Sequence, residues 1–340
     1  MGPTQATHVK FTGQAQIAAG WTAGYTLRIQ NLEDDPFGRN ATTGDSINQN
    51  DPRFSRGLNA QMSYWFIQSK DYGKLSVGRQ ANAAKSAAMF TDQSGTQIID
   101  NYTFLAGFPQ FFVRTAGDLT PAVTWGQFAF CYGQGAPLGG DCNGIVMNGV
   151  RYDTPAFGGF TASASWGEDD FWEVALRYAG EHAGFKVALG AGYSVFTDEN
   201  VAAPLPAGST KDSKFFQIGG YVEHIATGLF VYSAYGNSEF DTLAGSSDTW
   251  YIKAGIRQRW NALGHTVLYG EYENVDASGA FAQSGTKDSL DLWGLGVVQE
   301  VDAAAMSVWL KYRNLSYDNN VVGAGFDDFN EFAIGGLINF

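Results

Sequence analysis

The chain has 340 residues, a formal net charge of −13, 15% aromatic residues, 43 glycines and only 9 prolines. It is acidic and contains no basic run that would neutralise phosphates, which argues against nucleic acid as a partner. No stretch approaches the ~18 apolar residues of a membrane helix, so strands are the one route by which this chain would cross a bilayer.

Charged residues make up 16% of the chain, below the average of about 25% for soluble domains. The mean hydropathy is −0.17, which suits a barrel in which only alternate residues face lipid. The same composition also suits a soluble β-sandwich or solenoid. Met1, Gly2 and Pro3 lead straight into polar residues, without the pattern of a signal peptide, which an exported protein would have lost already.

Taken in chain order, period-2 alternation predicts strands over 8–18, 22–31, 55–68 and 73–81. A long irregular interval follows. Further strands are predicted over 145–154, 158–168, 171–180, 184–196, 213–224, 227–237, 248–260, 264–275, 288–301, 303–316 and 328–340. No repeat of 20–50 residues appears, which weighs against a propeller or solenoid. Tyr25, Leu27 and Ile29 share a face against Thr26, Arg28 and Gln30. Trp250, Ile252, Ala254 and Ile256 likewise oppose Lys253 and Arg257. Such polar faces would be costly in a sandwich core but are natural against water.

The connections alternate in length. Residues 18–21, 69–73, 180–184, 224–228 and 261–264 are tight, whereas 33–54, 197–212, 239–247, 275–287 and 316–327 are long and polar. One end with short turns and one with long loops is the pattern of an outer-membrane barrel. Parity places Lys10, Arg28, Arg151, Arg177, Lys186, Lys253, Arg257, Lys311 and Arg313 on the inward face. The inward acids include Glu173, Glu271, Glu331 and Asp153. On the outward face, Gly13, Ala15 and Ala60 beside Leu58 and Met62 make a smooth wall suited to a second barrel.

The interval 81–143 exceeds the ~12–15 residues of an ordinary structureless connection, so it is either functional or a separate element. It holds Asp92, Asp100 and Asp118 and the apolar run TFLAGFPQFFV. Its aromatics Tyr102, Phe104, Phe108, Phe111 and Phe112 read either as a sugar slide or as packing against the wall. Cys131 and Cys142 near its end either close a loop, stabilising by ~2–4 kcal/mol in an oxidising compartment, or remain two thiols. The acidic pairs of the long connections, such as Glu33-Asp34-Asp35, Asp198-Glu199 and Asp327-Asp328, read as solvated surface charge, with loop-bound Ca2+ as the alternative. No other cofactor is expected. The four histidines stand in no metal spacing, and no nucleophile elbow or phosphate-cradling glycine loop occurs, so no catalytic residues are nominated.

Four stretches, GWTAGYTLRIQ (20–30), GKLSVGRQ (73–80), VRYDTPAFGGF (150–160) and the closing FNEFAIGGLINF, resemble the general porins of Gram-negative outer membranes, most closely the alphaproteobacterial branch. The resemblance spans nearly the whole chain. It implies an all-β, transmembrane antiparallel barrel of 16 strands, with residues 1–340 forming one barrel domain. It further implies a homotrimer in lipid and lipopolysaccharide, with the 81–143 region folded into the pore and small hydrophilic solutes and ions diffusing through passively. A substrate-specific sugar or nutrient channel is the alternative. Acidic and carbonyl groups of the loop (Asp92, Asp100, Asp118) would face a basic wall cluster of Lys10, Arg28, Arg151 and Arg79. Arg79 is included on the motif alone, because its parity is that of outward Leu75 and Val77. In the family a terminal aromatic, here Phe340, is read by the barrel-assembly machinery. Alternation gives fifteen strands rather than sixteen, so either a first strand is missing from this chain or 122–132 hides one.

Overall fold

The computed structural model describes residues 8–31, 58–96, 112–125, 146–200, 210–241, 244–279, 282, 285–321 and 325–338. The first four strands are β1 (His8–Ala18), β2 (Trp21–Asn31), β3 (Leu58–Ser69) and β4 (Gly73–Ala81). A short hairpin, β5 (Phe112–Thr115) and β6 (Asp118–Thr124), precedes β7 (Val146–Asp153), β8 (Phe160–Gly167), β9 (Trp172–His182) and β10 (Phe185–Asn200). Then follow β11 (Thr210–His224), β12 (Leu229–Phe240), β13 (Ser246–Gln258), β14 (Thr266–Ser278), β15 (Lys287–Val301), β16 (Met306–Asn319) and β17 (Phe329–Ile338). Among the described residues no helix is long and apolar enough to cross a membrane.

Among the described residues fifteen strands form one antiparallel sheet in chain order, β1-β2-β3-β4-β7 and on to β17, each paired with its neighbours in that order in an up-and-down meander. All fifteen strands expected from alternation are present. The stretch 122–132 does not supply a further wall strand. Its residues 122–124 belong to β6, which pairs only with β5 in a separate two-stranded sheet. A partner twelve residues away, Phe112 opposite Thr124, satisfies that backbone at a smaller closure cost than a place in the wall would. Residues 1–7 lie outside the described residues.

Local chemistry fixes the turns at the short end. Between β9 and β10, Ala183 (φ 49°) and Gly184 (φ 83°) form a two-residue turn with both central φ positive, the geometry that matches strand twist. The outward face is apolar along its middle and aromatic near its edges. In β9, Trp172, Val174 and Leu176 are exposed while Glu173 and Ala175 between them are buried. Cross-strand ring pairs such as Tyr235–Trp250 (4.4 Å), Tyr312–Phe332 (4.7 Å) and Phe160–Tyr178 (4.6 Å) mark two aromatic bands. Aliphatic residues including Leu189, Ile218, Val231, Ile252 and Leu268 lie between them, all exposed. A continuous exposed apolar belt with aromatic edges is unfavourable in water and fits a bilayer.

Of the smooth outward wall read from the sequence, Ala15 and Ala60 are exposed, and the ring of Tyr25 lies over Gly13. Met62 is a correction. The β2–β3 register shifts between Arg28 and Ile29, so Met62 pairs with inward Arg28. A bulge adds one residue, which flips every residue beyond it to the other face.

Candidate functional site: a strap along the inner wall

Beyond Ala81 the chain leaves the sheet and runs as a strap, residues 82–96, along the inner faces of β7 to β13. Such a segment carries backbone groups that need partners, and inward side chains of the wall supply them. Ser165 Oγ accepts from the Ala83 N–H at 2.9 Å, and Glu173 Oε2 accepts from the Ala84 N–H at 2.8 Å. Gln217 acts twice, accepting from the Ala88 N–H (2.8 Å) and donating to the Ala84 carbonyl (3.1 Å). Arg151 donates to the carbonyls of Ala81 and Asn82, both at 3.1 Å, while Asp153 braces its guanidinium at 2.7 Å. Arg177 donates to the carbonyls of Ala83 (2.8 Å) and Lys85 (3.3 Å).

The strap lies close because the wall is glycine where the two backbones come nearest. A Cβ at Gly190 would stand 2.2 Å from the Ala87 carbonyl oxygen, and one at Gly219 would stand 2.6 Å from that of Ala88. Ala84, Ala87 and Ala88 are fully buried in this trough. Small residues on both surfaces allow backbone to approach backbone.

The far end of the strap is fastened by charge. Lys253 of β13 is fully buried, 2.6 Å from Asp92 Oδ2 and donating to Thr96 Oγ1 at 2.5 Å. The rings of Tyr232, Tyr251 and Tyr269 surround its ammonium at 5.7, 5.8 and 5.6 Å, within cation–π range. Beside it Arg313 makes a two-pronged pair with Glu271 (2.6 and 3.0 Å), and Tyr251 donates to the same carboxylate at 2.7 Å. The β5–β6 hairpin packs farther round. Val113 and Trp125 join Val275, Leu290, Leu292, Leu315 and Tyr317 in one apolar cluster, and the Gly117 N–H donates to Asp327 Oδ2 at 2.7 Å.

The predicted site residues therefore separate. Arg151 stands on the inner wall where the strap begins. Lys10 and Arg28 are opposite one another in the β1–β2 register, with His8 Nδ1 3.1 Å from Arg28 Nη2, on a stretch of wall that the strap does not reach. Asp92 faces a buried lysine rather than open lumen. Asp118 is exposed at the turn of the β5–β6 hairpin. Asp100, Cys131, Cys142 and Phe340 lie outside the described residues.

Arg79 is corrected to the outward face. It is exposed on the parity of Leu75 and pairs with Asn148, whose N–H and side-chain amide both reach Glu168 at 2.9 Å. Those two hydrogen bonds, with Arg79 nearby, hold the Glu168 carboxyl below its ordinary range. Of the loop acids considered for Ca2+, Asp327 and Asp328 accept from Gly117 and Asn314. Among the described residues no group of three or more metal-ligating side chains is assembled. The sequence reading missed Gln217, Ser165 and the three cage tyrosines, although parity puts Gln217 on the face of Gly219 and Tyr251 on that of Lys253.

Comparison with known proteins agrees with this architecture. The family model described as Gram-negative porin matches residues 2–337. No curated protein matches the chain in sequence. Among solved structures, an anion-selective porin from Comamonas acidovorans superposes with a TM-score of 0.59 at 14% identity, covering 99% of this chain and 89% of that one. OmpF of Salmonella typhi, solved in complex with daunomycin, gives 0.57 at 13% identity over 97% and 89% of the two chains. OmpT, an outer membrane protein of Vibrio cholerae, gives 0.55 at 13% identity over 98% and 89%. At these identities the structural likeness speaks for the fold, and the family match extends over nearly the whole sequence. A meander of antiparallel strands with an apolar, aromatic-edged exterior and a polar interior crossed by a strap is thus an outer-membrane β-barrel, and the chain belongs to the Gram-negative porin family.

Proposed function

We propose that the protein is a water-filled outer-membrane channel through which small hydrophilic solutes and ions diffuse passively. The observation that carries this reading is the placement of the strap. Its backbone is bound to wall side chains from Ser165 to Lys253, so it narrows the lumen without floating in it. The inner faces of β1, β2 and β4 remain polar, with Thr12, Gln14, Thr22, Arg28, Ser76 and Gln80 on inward parity. A homotrimer in lipid and lipopolysaccharide, assembled through a signal ending at Phe340, belongs to the same reading. One neighbouring structure, OmpT of Vibrio cholerae, is described in a trimer form.

Planar-bilayer recording tests the proposal. A passive channel gives an ohmic conductance that rises with KCl concentration and shows no saturation. Conductance that saturates with, or is blocked by, one sugar but not others would support the substrate-specific reading. A preparation that stays soluble and non-conducting without detergent would overturn both.

A further inference from the structure

Charge is unevenly placed around the inner wall. On β1 to β10 the inward basic residues Lys10, Arg28, Lys74, Arg151, Arg177 and Lys186 are all exposed or half-buried. The inward acids Glu223, Glu271, Glu273 and Asp288 of β11 to β15 are buried, as are Glu173 and the strap's Asp92. Glu300 and Glu331 are more open, but Arg257 holds the first at 2.9 Å and Lys311 stands 3.3 Å from the second. Among the described residues of β1 to β10, Asp153 and Glu181, the latter opposite Lys186, are the open inward acids. Water in the lumen there meets six open inward cations against two acids, in a chain whose net charge is −13. Low-dielectric walls focus such a potential along the axis.

The basic groups converge at one place. A cavity of about 280 Å³ is lined by Lys85 and Phe90 of the strap and by Arg151, Asp153, Ser163 and Arg177 of the wall. Among the described residues Asp153 is the one acid of its lining, against three cations. Both arginines are held rigid by the strap carbonyls, so their charge does not have to reorganise when a solute arrives. Phe90 presents a half-exposed aromatic ring to this cavity, whereas the Met89 beside it is buried. A fixed positive field next to an apolar platform suits a small organic anion, with its carboxylate towards the basic groups and its body on the ring.

We propose that the channel favours anions over cations, and that this cavity is the place where a small carboxylate with an apolar body pauses in transit. The proposal deepens the diffusion-channel reading and rests on it. The test uses the full chain in planar bilayers. In a tenfold KCl gradient the reversal potential is expected to take the sign of chloride permeation. Millimolar benzoate is expected to depress the current, whereas neutral benzyl alcohol is not. Lys85→Gln should lower the anion-to-cation permeability ratio by roughly twofold. Phe90→Ala should keep that ratio and abolish the difference between benzoate and benzyl alcohol. A cation preference or no preference in a conducting wild-type channel would overturn this inference and leave the channel reading standing. Equal effects of the two probes would overturn the dwell site. A silent bilayer would overturn the channel reading and this inference with it.

Discussion

Lys253 shows how one residue can hold a lumenal segment in place. An ammonium with no exposure is tolerated because Asp92 neutralises it, Thr96 accepts a hydrogen bond and three tyrosine faces surround it. Removing one partner of a buried pair leaves the other charge uncompensated, at a cost of about 3–5 kcal/mol. Lys253→Met is therefore expected to detach the strap end, raising single-channel conductance and lowering the temperature at which the folded band is lost in a heat-modifiability gel. Lys253→Met with Asp92→Asn should recover much of the lost stability, because no orphan charge remains. Parity assigned Lys253 to the inward face, but nothing local in the sequence paired it with Asp92, 161 positions earlier. Glu168 supplies a second test at this scale. Its carboxyl is held below the usual carboxylate range by Asn148 and Arg79, so its contribution is present above the unfolded value and is lost as pH falls through the lowered folded one. Glu168→Gln should therefore reduce thermal stability at pH 7, and the difference from wild type should vanish in strong acid. A difference that persists there would assign the effect to something other than this carboxylate.

At the scale of elements, the strap and the glycine trough act as one unit. Gly190→Val is expected to push Ala87 off the wall, because the added Cβ falls 2.2 Å from its carbonyl oxygen. The strand itself would survive, since valine suits a strand. Conductance should therefore rise while the far-ultraviolet β signal stays unchanged. Gly220→Ala, one position along β11 from Gly219 and facing outward, is the matched control and should leave conductance unaltered. The wall strands were legible because period-2 alternation is local and repeats along each strand. The course of the strap was not, because its partners lie far away in sequence. Ala84 meets Glu173 and Ala88 meets Gln217, across separations of 89 and 129 residues. Residues 122–124 show the opposite error. Their alternation is genuine, but it serves a hairpin with the adjacent 112–115 rather than the wall. At Arg79 parity and motif disagreed, and parity was correct, because face is dictated by geometry along the strand.

At the scale of the whole molecule, neighbouring positions meet different solvents. Ile252 and Lys253 are adjacent in β13, yet Ile252 is 47% exposed in the aliphatic belt while Lys253 is buried under the strap. A lysine is accommodated at 253 because the interior supplies an anion and tyrosine faces. Moved one residue, the same side chain would enter hydrocarbon with no partner. Ile252 pairs with Tyr272 on one side and Ser233 on the other, well inside both strand ends, so it belongs to the central part of the belt. Ile252→Lys is expected to reduce folding stability in lipid vesicles by about 2–4 kcal/mol, the cost of a cation near the midplane. Trp260→Lys, beyond the end of β13 at the short-turn edge, should cost no more than about 1 kcal/mol. Urea titration of the two variants in vesicles measures the difference directly. Equal costs would mean that the exposed apolar belt does not lie in hydrocarbon, whereas a graded cost locates the bilayer on the barrel from its own unfolding energies.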